Sequence, residues 1–304
     1  MAKFCVDRSL PKMVARITAK SVLNRHRKRD EWFLDDYSIN PYSGCAFGCV
    51  YCYTRGSRYE ARGAGGVAAK VNSPQLLSRQ LRRRARKAEH GFIAVSTATE
   101  AYQFAEKELK LTRRLLNVIL AYRFPVHIIT KSELVLRDLD LLAKIDDRAI
   151  LPEELESLEH RAIITFSLST LDKKLARIFE PRAPEPERRL RAMQKCGEEG
   201  FLTGAAFIPV LPYLSDLEES LEEMIASAKE FGARYVFVGA LTLFGSTPES
   251  CRGRYFKVVE RNFPELLADC RRMYKTAVPP GYQRRLDALA RRLCRRHGVR
   301  YRIL

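Results

Sequence analysis

The feature that most restricts the fold is an alternation of two hydrophobic periods. Six short runs, rich in β-branched or aromatic residues and bounded by polar or Gly positions, read as strands: 36–40, 91–96, 125–130, 161–167, 202–208 and 234–240. The first is the weakest. Between them, apolar residues recur at helical spacing over 73–89, 109–123, 133–145, 171–179, 186–199 and 215–231. Ser215, ahead of Asp216 and Glu218, suits a helix start. Strands separated by helices pair through crossovers, so the pattern predicts an α/β fold of six βα units around a parallel sheet. A chain of 304 residues can bury a large core.

The first strand runs into a loop holding three of the eight cysteines: Gly44-Cys45-Ala46-Phe47-Gly48-Cys49-Val50-Tyr51-Cys52. In a reducing compartment so tight a set points to metal rather than to disulfides. Zinc takes four protein ligands, in paired knuckles. Here the spacing is C-x3-C-x2-C, and the next histidine is as distant as His90. Three thiolates on a four-iron cluster would leave one iron open to an outside ligand. Gly44 and Gly48 permit the tight turns that wrap such a group. The other cysteines are scattered. Cys196, Cys270 and Cys294 fall in helical patterns and read as small buried apolar residues.

Charge bears on partners. The chain carries 54 Lys+Arg against 36 Asp+Glu, a formal net charge of +18. The surplus gathers in residues 1–33, in Arg82-Arg83-Arg84-Ala85-Arg86-Lys87 and in residues 271–304. Two readings stand: a surface for nucleic acid or another polyanion, or a solvated basic face. Residues 146–160 read as an acidic surface loop. In the last helical stretch, 282–297, Leu286, Leu289, Leu293 and Cys294 form an apolar stripe, while Arg284, Arg285, Arg291, Arg292, Arg295 and Arg296 line the rest. The stripe predicts docking on the core, with the arginines left outward. No run is apolar enough to span a membrane, and Met1–Cys5 lacks a signal peptide's apolar core, so a cytoplasmic location is expected.

The cysteine loop, with Tyr51 before its last cysteine, resembles that of the radical S-adenosylmethionine (radical SAM) superfamily. Flanking segments extend the resemblance to the branch related to spore photoproduct lyase, often labelled "DNA repair photolyase". They are Asn40-Pro41-Tyr42-Ser43, Thr99-Glu100-Ala101-Tyr102-Gln103, Leu111-Thr112-Arg113, Ile129-Thr130-Lys131-Ser132, Arg137-Asp138-Leu139-Asp140, Ser167-Leu168-Ser169-Thr170-Leu171-Asp172, Glu180-Pro181-Arg182-Ala183-Pro184 and Pro209-Val210-Leu211-Pro212. They span roughly residues 35–245 in the branch's order.

The resemblance implies a partial (β/α)6 TIM-like barrel at 34–252. A basic N-terminal extension (1–33) and a helical basic cap (253–304) flank it. Chemistry would sit at the strands' C-terminal ends. It implies a [4Fe–4S] cluster on Cys45, Cys49 and Cys52, with S-adenosylmethionine on the open iron and an external one-electron donor of flavodoxin or ferredoxin type. Reductive cleavage would yield a 5′-deoxyadenosyl radical that abstracts hydrogen from substrate. By position, Tyr51 would lie near the adenine or simply pack the loop. Thr99 and Glu100 would meet the methionyl amino group or ribose, Lys131 the carboxylate and Ser167 the ribose. Arg182 would hold a carboxylate or phosphate, or else pair with Glu180 or Asp172.

One departure matters. Where the lyase has a hydrogen-donating cysteine, this chain has Thr97, whose hydroxyl hydrogen is too strongly bonded to serve. Cys251 and Tyr102 are the candidate donors in its place. Three substrate readings follow: a nucleic acid; a small molecule, lipid or peptide under the same chemistry; or a non-catalytic, metal-stabilised nucleic-acid-binding protein.

Overall fold

The computed structural model describes residues 14–60, 66–277 and 279–304. Cys5 and the first basic residues lie outside them. The strands are β1 (Ala15–Ile17), β2 (Leu23–Arg25), β3 (Asp35–Ile39), β4 (Tyr42–Ser43), β5 (Ala68–Lys70), β6 (Phe92–Val95), β7 (Val126–Thr130), β8 (Ala162–Ser167), β9 (Leu202–Phe207), β10 (Tyr235–Val238) and β11 (Arg300–Tyr301). The helices are α1 (Ser73–Ala85), α2 (Glu106–Leu109), α3 (Leu111–Ala121), α4 (Leu139–Arg148), α5 (Lys173–Phe179), α6 (Pro186–Glu198), α7 (Glu218–Glu230), α8 (Cys251–Asn262), α9 (Leu267–Met273) and α10 (Tyr282–His297).

The six expected strands form one sheet, paired parallel in the order β10-β9-β8-β7-β6-β3. Two elements the pattern did not reveal extend it. β11 adds a parallel edge on β10, and β2 an antiparallel edge on β3. Both are only two or three residues long, too short to show a period. Residues 23–34 are therefore part of the barrel.

Side chains alternate across the strands. Ile93, Ile128, Ile164, Phe207 and Val238 pack outward under the helices. Ile163, Leu202, Tyr235 and Phe237 point the other way and join Leu34, Phe92 and Ile303. Trp32 stacks on Phe237 at 5.9 Å, closing that end. His127 links this plug to the sheet. Its Nδ1 donates to Phe33 O (2.8 Å), so its Nε2 accepts from Thr165 Oγ1 (2.5 Å), which in turn bonds the Tyr235 hydroxyl (2.6 Å). The 146–160 segment also contributes. Leu155 and Leu158 are buried in this inner core, while Glu153, Glu154, Glu156 and Glu159 remain exposed.

Helical runs are interrupted at three places, each for a local reason. Between α2 and α3, Lys110 takes a left-handed φ of 46°, and Glu106 Oε2 accepts from Thr112 N (2.9 Å). The 133–145 stretch begins as a 3-10 turn, Glu133–Asp138, because Arg113 and Arg137 both reach the buried Asp138 carboxylate. Within the cap, Pro264 separates α8 from α9, and Phe263 before it leaves the helical region at φ −145°. Helix α8 starts at Cys251, where Ser250 Oγ accepts from Gly253 N (3.2 Å). A boundary at residue 252 therefore falls inside a helix.

The apolar stripe of α10 is buried as expected, with Leu286, Leu293 and Cys294 in the core. Its arginine face differs from expectation. Arg292 pairs with Glu218 (2.6 Å), Arg296 with Glu222 (2.7 Å), and Arg291 lies over the Tyr301 ring. The acids on α7 match two of those six arginines. By contrast, Arg82, Arg83, Arg86 and Lys87 at the end of α1 are exposed. Both basic segments lead into strand starts, β11 and β6, at the end of the sheet opposite the cysteine loop. Among the described residues no helix is long and apolar enough to cross a membrane.

Burial holds the His127 pKa down to about 4. The unfolded chain takes up this proton from about pH 6.5 downward. Stability should be full above pH 6.5 and fall by up to about 3 kcal/mol as pH drops to 4. Urea midpoints between pH 7.5 and 4.5 should show this slope, and it should shrink in His127→Gln.

Candidate active site

Parallel pairing brings the ends of β6, β7 and β8 together, and the expected residues follow those strands. The cysteine loop crosses above them, fastened at several points. Thr99 Oγ1 donates to Gly44 O (2.6 Å). The buried Gln103 accepts from Ala46 N (2.9 Å) and donates to Gly44 O (3.4 Å). Val50 N donates to Phe179 O at the end of α5 (2.8 Å). Gly44 (φ 75°) is pressed so close that a Cβ would lie 2.5 Å from Gly66 O.

Cys45, Cys49 and Cys52 are free, half-buried thiols on this loop. Burial pushes the Cys45 thiol up to about 11, and Cys49 higher still. Among the described residues no three His, Cys, Asp or Glu side chains converge on one ion position. A four-iron cluster needs no such convergence, because each thiolate binds a different iron. The other described cysteines, Cys196, Cys251, Cys270 and Cys294, are buried elsewhere. Three accessible thiols on one braced loop fit a [4Fe–4S] cluster with one iron left for an outside ligand.

Around the loop stands a hydrogen-bonded set of charged groups. Glu100 is buried, and both its oxygens are taken. Oε1 accepts from Tyr102 N (2.9 Å) and Thr130 Oγ1 (2.7 Å), and Oε2 from Lys131 N (2.9 Å). Burial raises its pKa, against the pull of those donors. Lys131 Nζ bonds Ser167 Oγ at 2.7 Å and stands 3.8 Å from Glu180 Oε1. Glu180 Oε1 also accepts from the Tyr51 hydroxyl and from Ser169 Oγ (2.9 Å). Its other oxygen is 2.5 Å from Arg189 Nη2, both side chains being only 1% exposed. Burial alone would raise the Glu180 pKa; Arg189, then Lys131, outweigh it and hold the carboxyl at about 2.

The structure thus brings Tyr51, Glu100, Lys131 and Ser167 together, with Thr99 bracing the loop. Arg182 does not pair with Glu180 or Asp172. Its guanidinium lies exposed against Gly48, where a Cβ would come within 2.8 Å of Nη2. Arg189 went unnoticed in the sequence, Gln103 and Tyr53 stood there only within matched segments, and Glu180 only in such a segment and as a partner for Arg182. Arg189 is one more arginine in a helical run, and its burial is visible only in three dimensions. Thr97 is occupied locally: its Oγ1 accepts from Asn40 Nδ2 (3.0 Å), and its carbonyl accepts from the Tyr53 hydroxyl.

The two expected hydrogen donors hold interior positions. Cys251 is fully buried, its Sγ accepting from Phe244 N (3.0 Å) at the start of α8. Tyr102 is buried in the outer core, its hydroxyl against Asp138.

A partial parallel barrel carrying a three-thiol loop over its strand ends defines an enzyme class built on an iron–sulfur cluster. The sequence matches the Radical SAM superfamily over residues 39–225. An uncharacterised protein of Mycobacterium tuberculosis is 29% identical over 262 residues, covering 82% of this chain and 71% of its own. One from Methanocaldococcus jannaschii is 33% identical over 233 residues, covering 75% and 77%. Among solved structures, a tyrosine-to-phenylalanine variant of spore photoproduct lyase superposes with a TM-score of 0.66 at 15% identity, over 95% of this chain and 81% of that one. The same lyase complexed with dinucleoside spore photoproduct gives 0.65 at 16%, over 93% and 79%. These structural likenesses concern the fold. The chain belongs to the radical SAM superfamily. It is a radical SAM enzyme, its cofactors are a [4Fe–4S] cluster and S-adenosylmethionine, and its chemistry requires a reductant.

Gly44→Ala should prevent the loop from closing, since it adds both a clash and a strained φ. Iron bound after anaerobic reconstitution should fall to background while the circular dichroism spectrum stays folded. Arg189→Met should cost about 3–5 kcal/mol in urea unfolding, because it strands a buried carboxylate.

Proposed function

We propose that the substrate is a nucleic acid, held on the rim where the cysteine loop meets α8. One observation carries this reading: a set of arginines without counter-ions, beside exposed aromatic rings. Arg55, Arg182 and Arg254 form no ion pair among the described residues. The backbone places them together. Cys251 N donates to Arg55 O (3.2 Å), Arg254 follows one turn later on α8, and Arg182 lies on Gly48. Burial, then Arg55, depresses the Arg254 pKa. Nearby, Tyr53 (39% exposed) meets Tyr59 (50% exposed) edge-on at 6.1 Å, and Arg58 lies 4.9 Å over the Tyr59 ring. Unpaired arginines suit phosphates, and exposed rings suit unstacked bases.

When bound and given an electron by an external reductant, the cluster and S-adenosylmethionine would supply radical chemistry for taking a hydrogen atom from the substrate. The chain's own groups divide the remaining work. Cys45, Cys49 and Cys52 hold the cluster; Lys131, Ser167, Glu100 and Tyr51 shape the place of S-adenosylmethionine; Arg182 faces outward, toward phosphate. A DNA-repair or RNA-modifying reaction fits this arrangement.

Affinity for single-stranded DNA and for tRNA, measured against salt, tests it. Replacing Arg55, Arg182 and Arg254 by Gln should weaken binding at least tenfold and flatten the salt slope by about one unit for each phosphate no longer neutralised. Replacing Arg292 and Arg296 should change little, since both are paired with acids on α7. If the rim variant binds as the parent does, the substrate is instead a small molecule, lipid or peptide. Protein reconstituted with iron and sulfide, then given dithionite and S-adenosylmethionine, should release 5′-deoxyadenosine.

A further inference from the structure

We propose that Glu180 is a positioning residue: locked in place by Arg189, its carboxylate keeps the Lys131 ammonium beside Ser167 as the donor to the carboxylate of S-adenosylmethionine. The proposal rests on the reading of Lys131 as that carboxylate's partner and adds how the lysine is held.

Arg189 is pinned at three places. Its Nε donates to Pro184 O (2.8 Å), its Nη1 to Ser167 O (3.0 Å), and its Nη2 meets Glu180. A guanidinium so tied fixes the plane of the carboxylate opposite it. The free oxygen of that carboxylate then gathers three elements at one point: Tyr51 from the cysteine loop, Ser169 from beyond β8 and Lys131 from the end of β7.

Lys131 is a flexible side chain that, left alone, would extend its charge into water. Here it is drawn inward by Ser167 Oγ at 2.7 Å, by Glu180 at 3.8 Å and by the Tyr51 ring at 5.9 Å. Among the described residues, only one of its three donors is committed to a hydrogen bond, with Ser167. The charges do not cancel. One carboxylate faces two cations, and Arg189 takes the closer share. Glu100, the other acid nearby, is spent on Tyr102 N, Thr130 and Lys131 N. An ammonium with two open donors and a shared counter-ion is prepared for a second carboxylate. Glu180 therefore holds the lysine without saturating it.

A double-mutant cycle tests this. The variants are Lys131→Met, the pair Glu180→Gln with Arg189→Met, and all three together. Gln and Met replace the buried pair without stranding a charge, so the pair variant should melt near the parent. Each protein is reconstituted anaerobically, its iron and sulfide are counted, and S-adenosylmethionine binding to the oxidised protein is measured by equilibrium dialysis. Lys131→Met and the pair variant should each weaken binding about tenfold or more at unchanged iron content. The triple variant should be no weaker than Lys131→Met, because Glu180 acts through the lysine. Glu180→Asp keeps the charge beside Arg189 but withdraws it from Lys131, and should give a smaller loss if the pair variant melts early. Parent-like binding by the pair variant, or losses that multiply in the triple variant, would overturn the role given to Glu180. Parent-like binding by Lys131→Met would overturn the reading of the lysine beneath it.

Discussion

Parallel pairing of six strands is the constraint on which the site depends. It sends every strand end to the same side, so residues distant in the chain emerge within reach of one another. Glu100 follows β6, Lys131 follows β7 and Ser167 closes β8. None of these would meet in an antiparallel meander, where successive ends alternate sides. The helices return each crossover to the far end, which is where the basic segments of α1 and α10 finish. Chemistry and much of the basic surface are thereby separated by the length of the sheet.

Within the site, electrostatics is arranged around two buried carboxylates with opposite environments. Glu100 is surrounded by backbone and hydroxyl donors, and burial raises its pKa. Glu180 faces a guanidinium and an ammonium, which keep it ionised. One carboxylate therefore organises neutral donors and the other organises charge. A buried ion pair is weak evidence for stability, since desolvation consumes much of the attraction. Its value here lies in geometry, because a single oxygen joins the cysteine loop to two strand ends.

Much of this was legible in the sequence, and what was not has physical causes. The strands were legible because they are buried and β-branched, and the cluster ligands because three thiols within eight residues suit little besides a metal centre. The break at Pro264 was visible in the chain, yet the apolar spacing on either side concealed it. The edge strands β2 and β11 are too short for periodicity and exist only because a neighbour offers free backbone groups. The neutralisation of Arg292 and Arg296 depends on acids more than seventy residues away. The clamp by Gln103 and the bond between Glu180 and Arg189 are likewise tertiary. A single sequence records which groups are present and not which of them meet.

The fastening of the cysteine loop to α8 has a consequence for how the molecule comes apart. Cys251 N is bonded to Arg55 O, and Gly56 backs onto Ser250 so closely that a Cβ would sit 2.8 Å from it. Behind them, Val50 and Tyr51 share one apolar core with Leu241, Leu243, Tyr255 and Tyr274. The loop, α8 and α9 therefore open as one cooperative unit. Helices α8 and α9 cannot peel away without also releasing the segment that carries the thiols. The lifetime of a bound cluster is thus tied to the local unfolding rate of a region that supplies none of its ligands.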